Sequence, residues 1–277
     1  MRRDAHGGNR DENWKAVMDA AKSDRDRDAA RANRRFEARR GGVAPPLDAR
    51  GGRRHAPAMS RRQPRFEITA EILLRAYSIG MFPMAEDRDA THLFWVEPEQ
   101  RGIFPLDGLV VSRSLAKTVR SDVYEVRADG AFVAVMKACA DRDRTWINAD
   151  ILRLYTALYE RGHAHSIEAY QGGELVGGLY GVTLGAAFFG ESMFHLATDA
   201  SKVALVHLFA RLRLGGYRLL DAQFVTPHLA TLGAVEISRG EYRRRLEAAL
   251  ELPGDFAAWA LERPIPGAEA LALATGR

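Results

Sequence analysis

The segment AAFFGESMFHLATDASKVALVHLFARLRLGGYRLLDAQ, residues 186–223, contains the most regular secondary-structure pattern in this chain. Its first apolar run, 186–189, predicts a buried strand, and a second short strand is predicted over 218–222. Between them we predict a helix over 200–214, capped by Asp199, because apolar residues recur there at helical spacing. These elements require an architecture that mixes α and β structure.

The regions around this stretch contain hairpins and helices. Residues 165–170 and 174–180 predict a hairpin around a Gln-Gly-Gly turn. A strand is expected over 123–126, and the stretch 95–105 is expected to be irregular. Helices are predicted for a segment capped by Thr69 and closed by Gly80, for a segment that begins at Ser112 or Ser114, and for 131–139, 150–160 and 239–250. Hairpins followed by helices, without strict alternation, indicate an α/β protein of the α+β type.

The composition is that of a soluble globular protein. Of the 277 residues, 47% are hydrophobic and 27% are charged, both ordinary proportions. Cys139 is the single cysteine, which excludes an internal disulfide framework and fits a reducing compartment. The chain has no apolar run of about 18 residues and no apolar segment at its start, so neither a membrane span nor a secretory signal is expected. These features predict a cytoplasmic protein.

The basic charge is concentrated at the start of the chain. Residues 1–60 hold 15 Lys and Arg against 9 Asp and Glu, whereas the whole chain has a net charge of only +4. We therefore expect residues 1–63 to form a disordered, Arg-rich extension. Two interpretations stay open: a basic tail that assists RNA binding, or an upstream start codon, with Met59 as the native start.

Three polar residues stand at the ends of predicted strands. Glu191 follows an apolar strand and Gly190, where partial burial would raise its pKa and suit proton transfer or amine binding. Asp221 and Gln223 are two residues apart on one strand and are expected on the same face. An Asp can orient or deprotonate an amine, and a Gln can stabilise an oxyanion. From the residues alone, purely structural roles for all three are at least as well supported.

The predicted helix after Ser112 carries Arg113, Lys117 and Arg120 on one face. With Arg101 nearby, these cations could hold an RNA backbone, although a solvated charged face is the ordinary alternative. The histidines are too scattered for a metal motif, and Cys139 has no CxxC partner, so no metal site is predicted. GxSxG, GxGxxG and P-loop patterns are also missing from the sequence.

The order of the motifs indicates a family. GMFPM, FWVEPEQRGIFPL, TWI, GHAHSIE, LVGGLYG, FFGESMFH, ASKVAL, DAQ and LGAVEISR occur in sequence from about Phe66 to about Leu250. Together they closely resemble the leucyl/phenylalanyl-tRNA–protein transferase family. The resemblance implies a small N-terminal domain, 64–127, a larger catalytic domain, 128–255, with a GNAT-like acyltransferase fold, and a C-terminal tail, 256–277.

The resemblance also implies an activity. Members move Leu or Phe, and less well Met, from aminoacyl-tRNA to the N-terminal Arg or Lys of acceptor proteins, which marks the acceptors for N-end rule degradation. No metal and no soluble cofactor is implied, and we expect a monomer. The partners implied are Leu-tRNA or Phe-tRNA and the acceptor protein, without a membrane.

By the same resemblance, the catalytic residues are Asp221, Gln223 and Glu191. Gln223 would orient the incoming amine or stabilise the oxyanion, and Asp221 would polarise Gln223 or accept an amine proton. Glu191 would orient the substrate's amino or ribose groups, or pair with the acceptor's basic first residue. These roles can be permuted.

The resemblance assigns two binding sets as well. The amino-acid pocket would be lined by Met84, Trp146, Leu179, Phe188 and Leu208. The tRNA-binding residues would be Arg101, Arg113, Lys117 and Arg120.

The sequence departs from the family pattern at three places. His195 and Leu196 stand where Ser and Arg usually follow GESMF, and Met84 stands where many members have Trp. These differences blur the expected amino-acid preference and the expected acceptor contacts. The Arg-rich leader replaces the segment that precedes the first helix in some members. Two alternatives are an acyltransferase that uses acetyl-CoA, whose pyrophosphate-binding loop we do not find before Ala200, and a non-catalytic tRNA-binding adaptor.

Overall fold

A computed structural model describes residues 68–276. The predicted Arg-rich extension, 1–63, and the alternative start at Met59 lie outside these residues.

The described residues contain nine strands in two sheets. A small antiparallel sheet pairs β1 (Phe82–Met84) with β2 (Phe94–Val96). A second sheet has seven strands in the order β4-β5-β6-β7-β8-β3-β9. Its members are β3 (Gln100–Phe104), β4 (Glu125–Ala128), β5 (Ala164–Gln171), β6 (Glu174–Leu184), β7 (Ala187–His195), β8 (Leu219–Gln223) and β9 (Val235–Ser238).

Eight helices accompany the strands in this part of the chain. They are α1 (Ala70–Ser78), α2 (Arg113–Arg120), α3 (Phe132–Ala140), α4 (Ala149–Glu160), α5 (Ala200–Leu214), α6 (Pro227–Thr231), α7 (Arg239–Leu250) and α8 (Gly267–Thr275). Two helices have the side-chain caps that the sequence predicts. Thr69 accepts the Ile72 N–H of α1 at 3.4 Å, and Ser112 accepts the Leu115 N–H of α2 at 3.2 Å. Asp199 precedes α5 but adopts a left-handed conformation, φ 64°, and makes no side-chain cap.

The seven-stranded sheet separates two apolar cores. Phe188 and Phe189 are consecutive on β7, yet Phe188 belongs to one core cluster and Phe189 to the other. Leu220 and Leu219 divide in the same way on β8. Because neighbouring strand residues point to opposite faces, the two clusters lie on opposite sides of the sheet. We call the side that contains Phe189 the first face and the side that contains Phe188 the second face.

One pair of strands in the large sheet runs parallel. β7 and β8, joined by α5, pair over three positions and stop at Phe189 and Asp221. Both strands continue beyond that point, β7 to His195 and β8 to Gln223, without further pairing to each other. The ends of these two strands therefore leave a gap in the sheet, and polar residues flank it.

The structure corrects several predicted elements. The stretch 95–105 is not irregular, because β3 inside it is hydrogen-bonded to both β8 and β9. The strand predicted over 123–126 lies two residues later, at Glu125–Ala128. The sequence 256–277 is not a simple tail, since α8 within it packs on α5 and α2.

The predicted domain boundary at 127 falls inside β4. It also separates β3 from the large sheet to which that strand belongs. Sheet neighbours that are distant in sequence cannot be recognised from local propensity, which explains both differences.

Candidate active site

The centre of the site is the carboxyl group of Glu191, at the gap between β7 and β8. It accepts hydrogen bonds from the Tyr77 hydroxyl at 2.6 Å, the Tyr155 hydroxyl at 3.0 Å and the Gln223 side-chain amide at 3.0 Å. The two tyrosine hydroxyls are themselves 2.5 Å apart. Four elements, α1, α4, β7 and β8, thus converge on one acidic group.

Burial raises the pKa of Glu191 to about 7. The hydrogen bonds from Tyr77 and Tyr155 act in the opposite direction, and the nearby charges of Asp221 and Arg101 raise and lower the pKa respectively. The residue is partly exposed, so it can be reached from outside the core. A carboxyl group that titrates near neutral pH can accept and return a proton under cellular conditions.

Asp221 is buried directly behind this group and is saturated with hydrogen bonds. Arg101 donates from Nε to Oδ1 at 2.9 Å and from Nη2 to Oδ2 at 2.5 Å. The Tyr242 hydroxyl donates to Oδ2 at 2.8 Å and the backbone N–H of Gln223 donates to Oδ1 at 2.8 Å. With two donors on each oxygen and no exposed surface, this carboxylate is an anchor that has no free site for a substrate proton.

Gln223 sits on an irregular part of β8. Gly102 is opposite Gln223 and Ile103 is opposite Asp221, so Ala222 has no partner on β3 and forms a β-bulge. The backbone of Gln223 is left-handed, with φ 56°. Asp221 and Gln223 lie together, as their spacing predicts, but Asp221 contacts the backbone N–H of Gln223, and the side-chain amide is directed to Glu191.

Three tyrosines of this site were not predicted: Tyr77, Tyr155 and Tyr242. Tyr77 stands on the apolar stripe of α1, which the sequence assigns to the core, and it is 114 positions away from Glu191. No local signal in the sequence connects such residues, because only the packing of α1, α4 and α7 on the first face brings them to the site.

The predicted amino-acid pocket is divided between the two faces of the sheet. Met84 and Trp146 pack with the first face, and the Trp146 ring lies 6.4 Å from that of Tyr155. Leu179, Phe188 and Leu208 belong to the core of the second face. The structure therefore does not bring the five residues together on one surface of the sheet.

The predicted tRNA-binding set is also divided. Arg113, Lys117 and Arg120 are exposed on α2, whose opposite side is anchored by the buried Leu115 and Val119. Within residues 68–276 none of these three cations forms an ion pair. Arg101 is different: it is only 1% exposed and its guanidinium is bound to Asp221. It cannot present its charge to a phosphate backbone, so its assignment to this set does not fit the structure.

Two further properties of residues 68–276 bear on other kinds of site. They contain no group of three or more His, Cys, Asp or Glu side chains arranged to hold a metal ion. None of their helices is both long enough and apolar enough to cross a membrane.

Comparison with known proteins gives the family. Residues 103–247 match the family model described as leucyl/phenylalanyl-tRNA protein transferase, and residues 66–99 match the model of its N-terminal domain. The chain belongs to the leucyl/phenylalanyl-tRNA–protein transferase family. The resemblance seen in the sequence motifs is thereby confirmed, as is the prediction of an enzyme.

Individual relatives agree with this assignment. A leucyl/phenylalanyl-tRNA–protein transferase of Afipia carboxidovorans is 59% identical over 221 residues, which cover 78% of this chain and 97% of the relative. One from Rhodopseudomonas palustris strain BisB18 is 59% identical over 215 residues, 76% of this chain and 94% of the relative. One from Paramagnetospirillum magneticum is 62% identical over 187 residues, 66% of this chain and 90% of the relative.

Family membership agrees with the coarse architecture. This transferase has a mixed α/β structure with a small N-terminal part and a larger C-terminal part. The two family models meet between residues 99 and 103, close to the start of β3 and well before the predicted boundary at 127. A transferase family assignment also favours aminoacyl transfer over the acetyl-CoA and adaptor alternatives.

Proposed function

We propose that this protein transfers Leu or Phe, and less well Met, from aminoacyl-tRNA to the N-terminal Arg or Lys of acceptor proteins, which marks them for N-end rule degradation. The observation that carries the proposal is the Glu191–Gln223 pair at the gap between β7 and β8. A carboxyl group of pKa about 7 beside an amide suits the attack of an amine on an ester.

The reaction requires one proton to change place. The acceptor amine forms a bond to the acyl carbon, the bond from that carbon to the ribose oxygen breaks, and a proton moves from the nitrogen to the ribose oxygen. We assign this transfer to Glu191, which takes the proton from the amine and returns it to the leaving oxygen. Because the ester is already activated, positioning supplies much of the remaining catalysis, and no metal or soluble cofactor takes part.

Gln223 and Asp221 have supporting roles in this mechanism. The Gln223 amide donates to Glu191 at 3.0 Å, and its carbonyl oxygen is then available to accept a hydrogen bond from the incoming amine. The saturated hydrogen bonding of Asp221 argues against proton uptake there. We assign Asp221 to holding Gln223 in place.

The gap between β7 and β8 offers a route for the amino-acid side chain. Met84 and Trp146 pack on the first face and Leu179, Phe188 and Leu208 on the second, so a pocket that includes all five has to pass between the strands. The end of pairing between these two parallel strands supports the GNAT-like arrangement that the resemblance implies. An apolar pocket distinguishes one methylene by only about 1–3 kcal/mol, which agrees with acceptance of Leu, Phe and Met.

We assign the tRNA body to α2. Its exposed cations, Arg113, Lys117 and Arg120, have no competing carboxylate in the described chain and are free to neutralise phosphates. We further propose that the enzyme acts as a monomer in the cytoplasm.

The test is a transfer assay. Purified protein is incubated with radiolabelled Leu-tRNA or Phe-tRNA and a peptide that begins with Arg or Lys, and label is expected in the peptide. A matched peptide that begins with Glu is the control and should stay unlabelled. Protein that binds the aminoacyl-tRNA but labels neither peptide would contradict the proposal.

A further inference from the structure

We infer that Arg101 is a positioning residue of the transfer site, which holds the Gln223 amide against Glu191 through Asp221. The inference rests on the function proposed above. It gives a role to a buried cation that the sequence suggests is an RNA contact.

The first step of the argument is the conformation of Gln223. A left-handed backbone, φ 56°, is unfavourable for a residue with a Cβ and persists only where the surroundings impose it. The backbone N–H of Gln223 is held at 2.8 Å by Oδ1 of Asp221. This contact, combined with the bulge at Ala222, turns the end of β8 so that the side-chain amide reaches Glu191.

The second step is the fixation of Asp221. Arg101 binds both carboxylate oxygens with its Nε and Nη2 atoms, at 2.9 and 2.5 Å. A two-point contact of this kind fixes the orientation of a carboxylate, which a lysine with its single ammonium cannot do. The guanidinium itself donates to the Gly80 carbonyl at 2.9 Å. Its Cζ atom lies 4.6 Å from the ring centre of Phe82 and 4.4 Å from that of Tyr242.

The third step is the position of the next residue on β3, Gly102. A Cβ placed there would lie 2.8 Å from the backbone carbon of Phe224 and 3.0 Å from the backbone nitrogen of Val225. The chain that leaves Gln223 therefore passes directly over Gly102. Two consecutive residues of β3 thus shape the end of β8. Arg101 binds Asp221, and Gly102 leaves room for the backbone of Phe224 and Val225.

The decisive variant is Arg101→Lys, which keeps the charge and removes the two-point contact. We expect the rate constant of transfer, kcat, to fall about 100-fold, since displacement of a catalytic group by about 1 Å has effects of this size. The KM values for aminoacyl-tRNA and for the acceptor peptide should stay unchanged, because Arg101 is 1% exposed and touches neither substrate.

The matched control is Arg211→Lys. Arg211 is also a buried arginine, 4% exposed, but it lies on α5 and donates to the Trp259 carbonyl at 2.7 Å, away from the site. The control should lower Tm by about as much as Arg101→Lys does, and it should leave kcat unchanged.

A readout that does not depend on activity separates this inference from the proposed function. The chain has four glutamines, Gln63, Gln100, Gln171 and Gln223, so selective ¹⁵N-glutamine labelling gives few NMR signals, and Gln223→Ala identifies the one of interest. Arg101→Lys should shift the backbone and side-chain amide signals of Gln223, whereas Arg211→Lys should leave them in place. These shifts are expected even if the protein proves to transfer nothing.

A double variant guards against misfolding. Arg101→Met together with Asp221→Leu removes both buried charges, which proteins often tolerate, and should give a folded protein whose kcat is also about 100-fold reduced. Unchanged kcat and unshifted Gln223 signals in Arg101→Lys would overturn the inference. So would a raised KM for aminoacyl-tRNA with normal kcat, which would indicate an RNA contact, or a loss of kcat equal to that of Arg211→Lys.

Discussion

Two carboxyl groups on the first face of the large sheet, Glu191 and Glu168, show how similar chemistry serves different purposes. Burial raises the pKa of both. Glu168 is fully buried and accepts the Ser166 hydroxyl from its own strand at 2.5 Å and the backbone N–H groups of Gly130 and Ala131, both at 3.3 Å, just before α3 begins. Glu191 is partly exposed and its donors are side chains from separate elements.

The difference teaches how a functional acid can be distinguished from a structural one. Glu168 satisfies N–H groups that the start of a helix leaves without partners, so its environment is complete without any ligand. Glu191 accepts hydrogen bonds from side-chain hydroxyl and amide groups, and no helix or strand requires these contacts in order to form. A raised pKa by itself does not separate the two cases, but the origin of the hydrogen-bond donors does.

Replacing each acid separately by glutamine should give the largest difference between the two residues. Glu191→Gln removes the proton acceptor and should lower the single-turnover transfer rate by about 100- to 10,000-fold. Glu168→Gln should leave that rate unchanged and lower stability by about 1–3 kcal/mol, because one backbone donor loses its acceptor. Chemical unfolding and transfer assays on both variants measure this, and equal losses of transfer rate would refute the distinction.

The pH dependence of transfer tests the assignment of Glu191 as the proton acceptor. Its pKa of about 7 means that the carboxylate form increases as pH rises through neutrality, so the transfer rate should rise there. The free acceptor amine, with a pKa of about 8, adds a second rise. In Glu191→Gln only the second rise should remain, and a profile identical to that of the wild type would exclude Glu191 as the acceptor.

Stability should respond to pH in the opposite sense to activity. The folded protein binds the Glu191 proton more tightly than the unfolded chain does, so this group contributes most at low pH and its contribution falls as pH rises towards 7. The Tm of Glu191→Gln relative to wild type should therefore increase between about pH 5 and about pH 8. Thermal unfolding at several pH values checks this, and a difference that is constant with pH would contradict it.

The smallest effects are expected from substitutions on α2. Its cations are exposed to solvent, unlike the largely buried groups of the transfer site. Single changes of Arg113, Lys117 or Arg120 to Ala should each weaken tRNA binding and reduce its salt dependence by about one counterion, with kcat unchanged. Arg127→Ala, which removes an exposed cation already paired with Glu125 at 2.7 Å, is the control. A loss of affinity as large in the control as on α2 would remove α2 from the binding surface.

Local sequence signals predicted much of the fold. The helix over 200–214 and the helix over 239–250 have the predicted bounds, because helical spacing and terminal glycine or serine residues are local properties. β3 was missed because QRGIF contains an arginine and a glycine and has little strand character of its own. Its pairing with β8 and β9 supplies the missing preference.

The site was predictable in part. Glu191, Asp221 and Gln223 were recognised as candidates at strand ends, but the two acids could not be ranked, since burial and hydrogen-bond saturation are tertiary properties. Arg101 was grouped with the cations of α2 because it lies near them in the sequence. Only its place between Phe82, Tyr242 and Asp221 identifies it as part of the core.

Motif order, periodicity and local chemistry were enough to assign the family, the mixed α/β class and the three polar residues at the strand ends. Folding establishes which acid is free to exchange a proton and which is an anchor. It does so by placing Tyr77 and Tyr155 beside Glu191 and by enclosing Asp221 with Arg101. The physical reason is that a carboxyl group's pKa and remaining hydrogen-bonding capacity depend on neighbours that the chain brings together only when it folds.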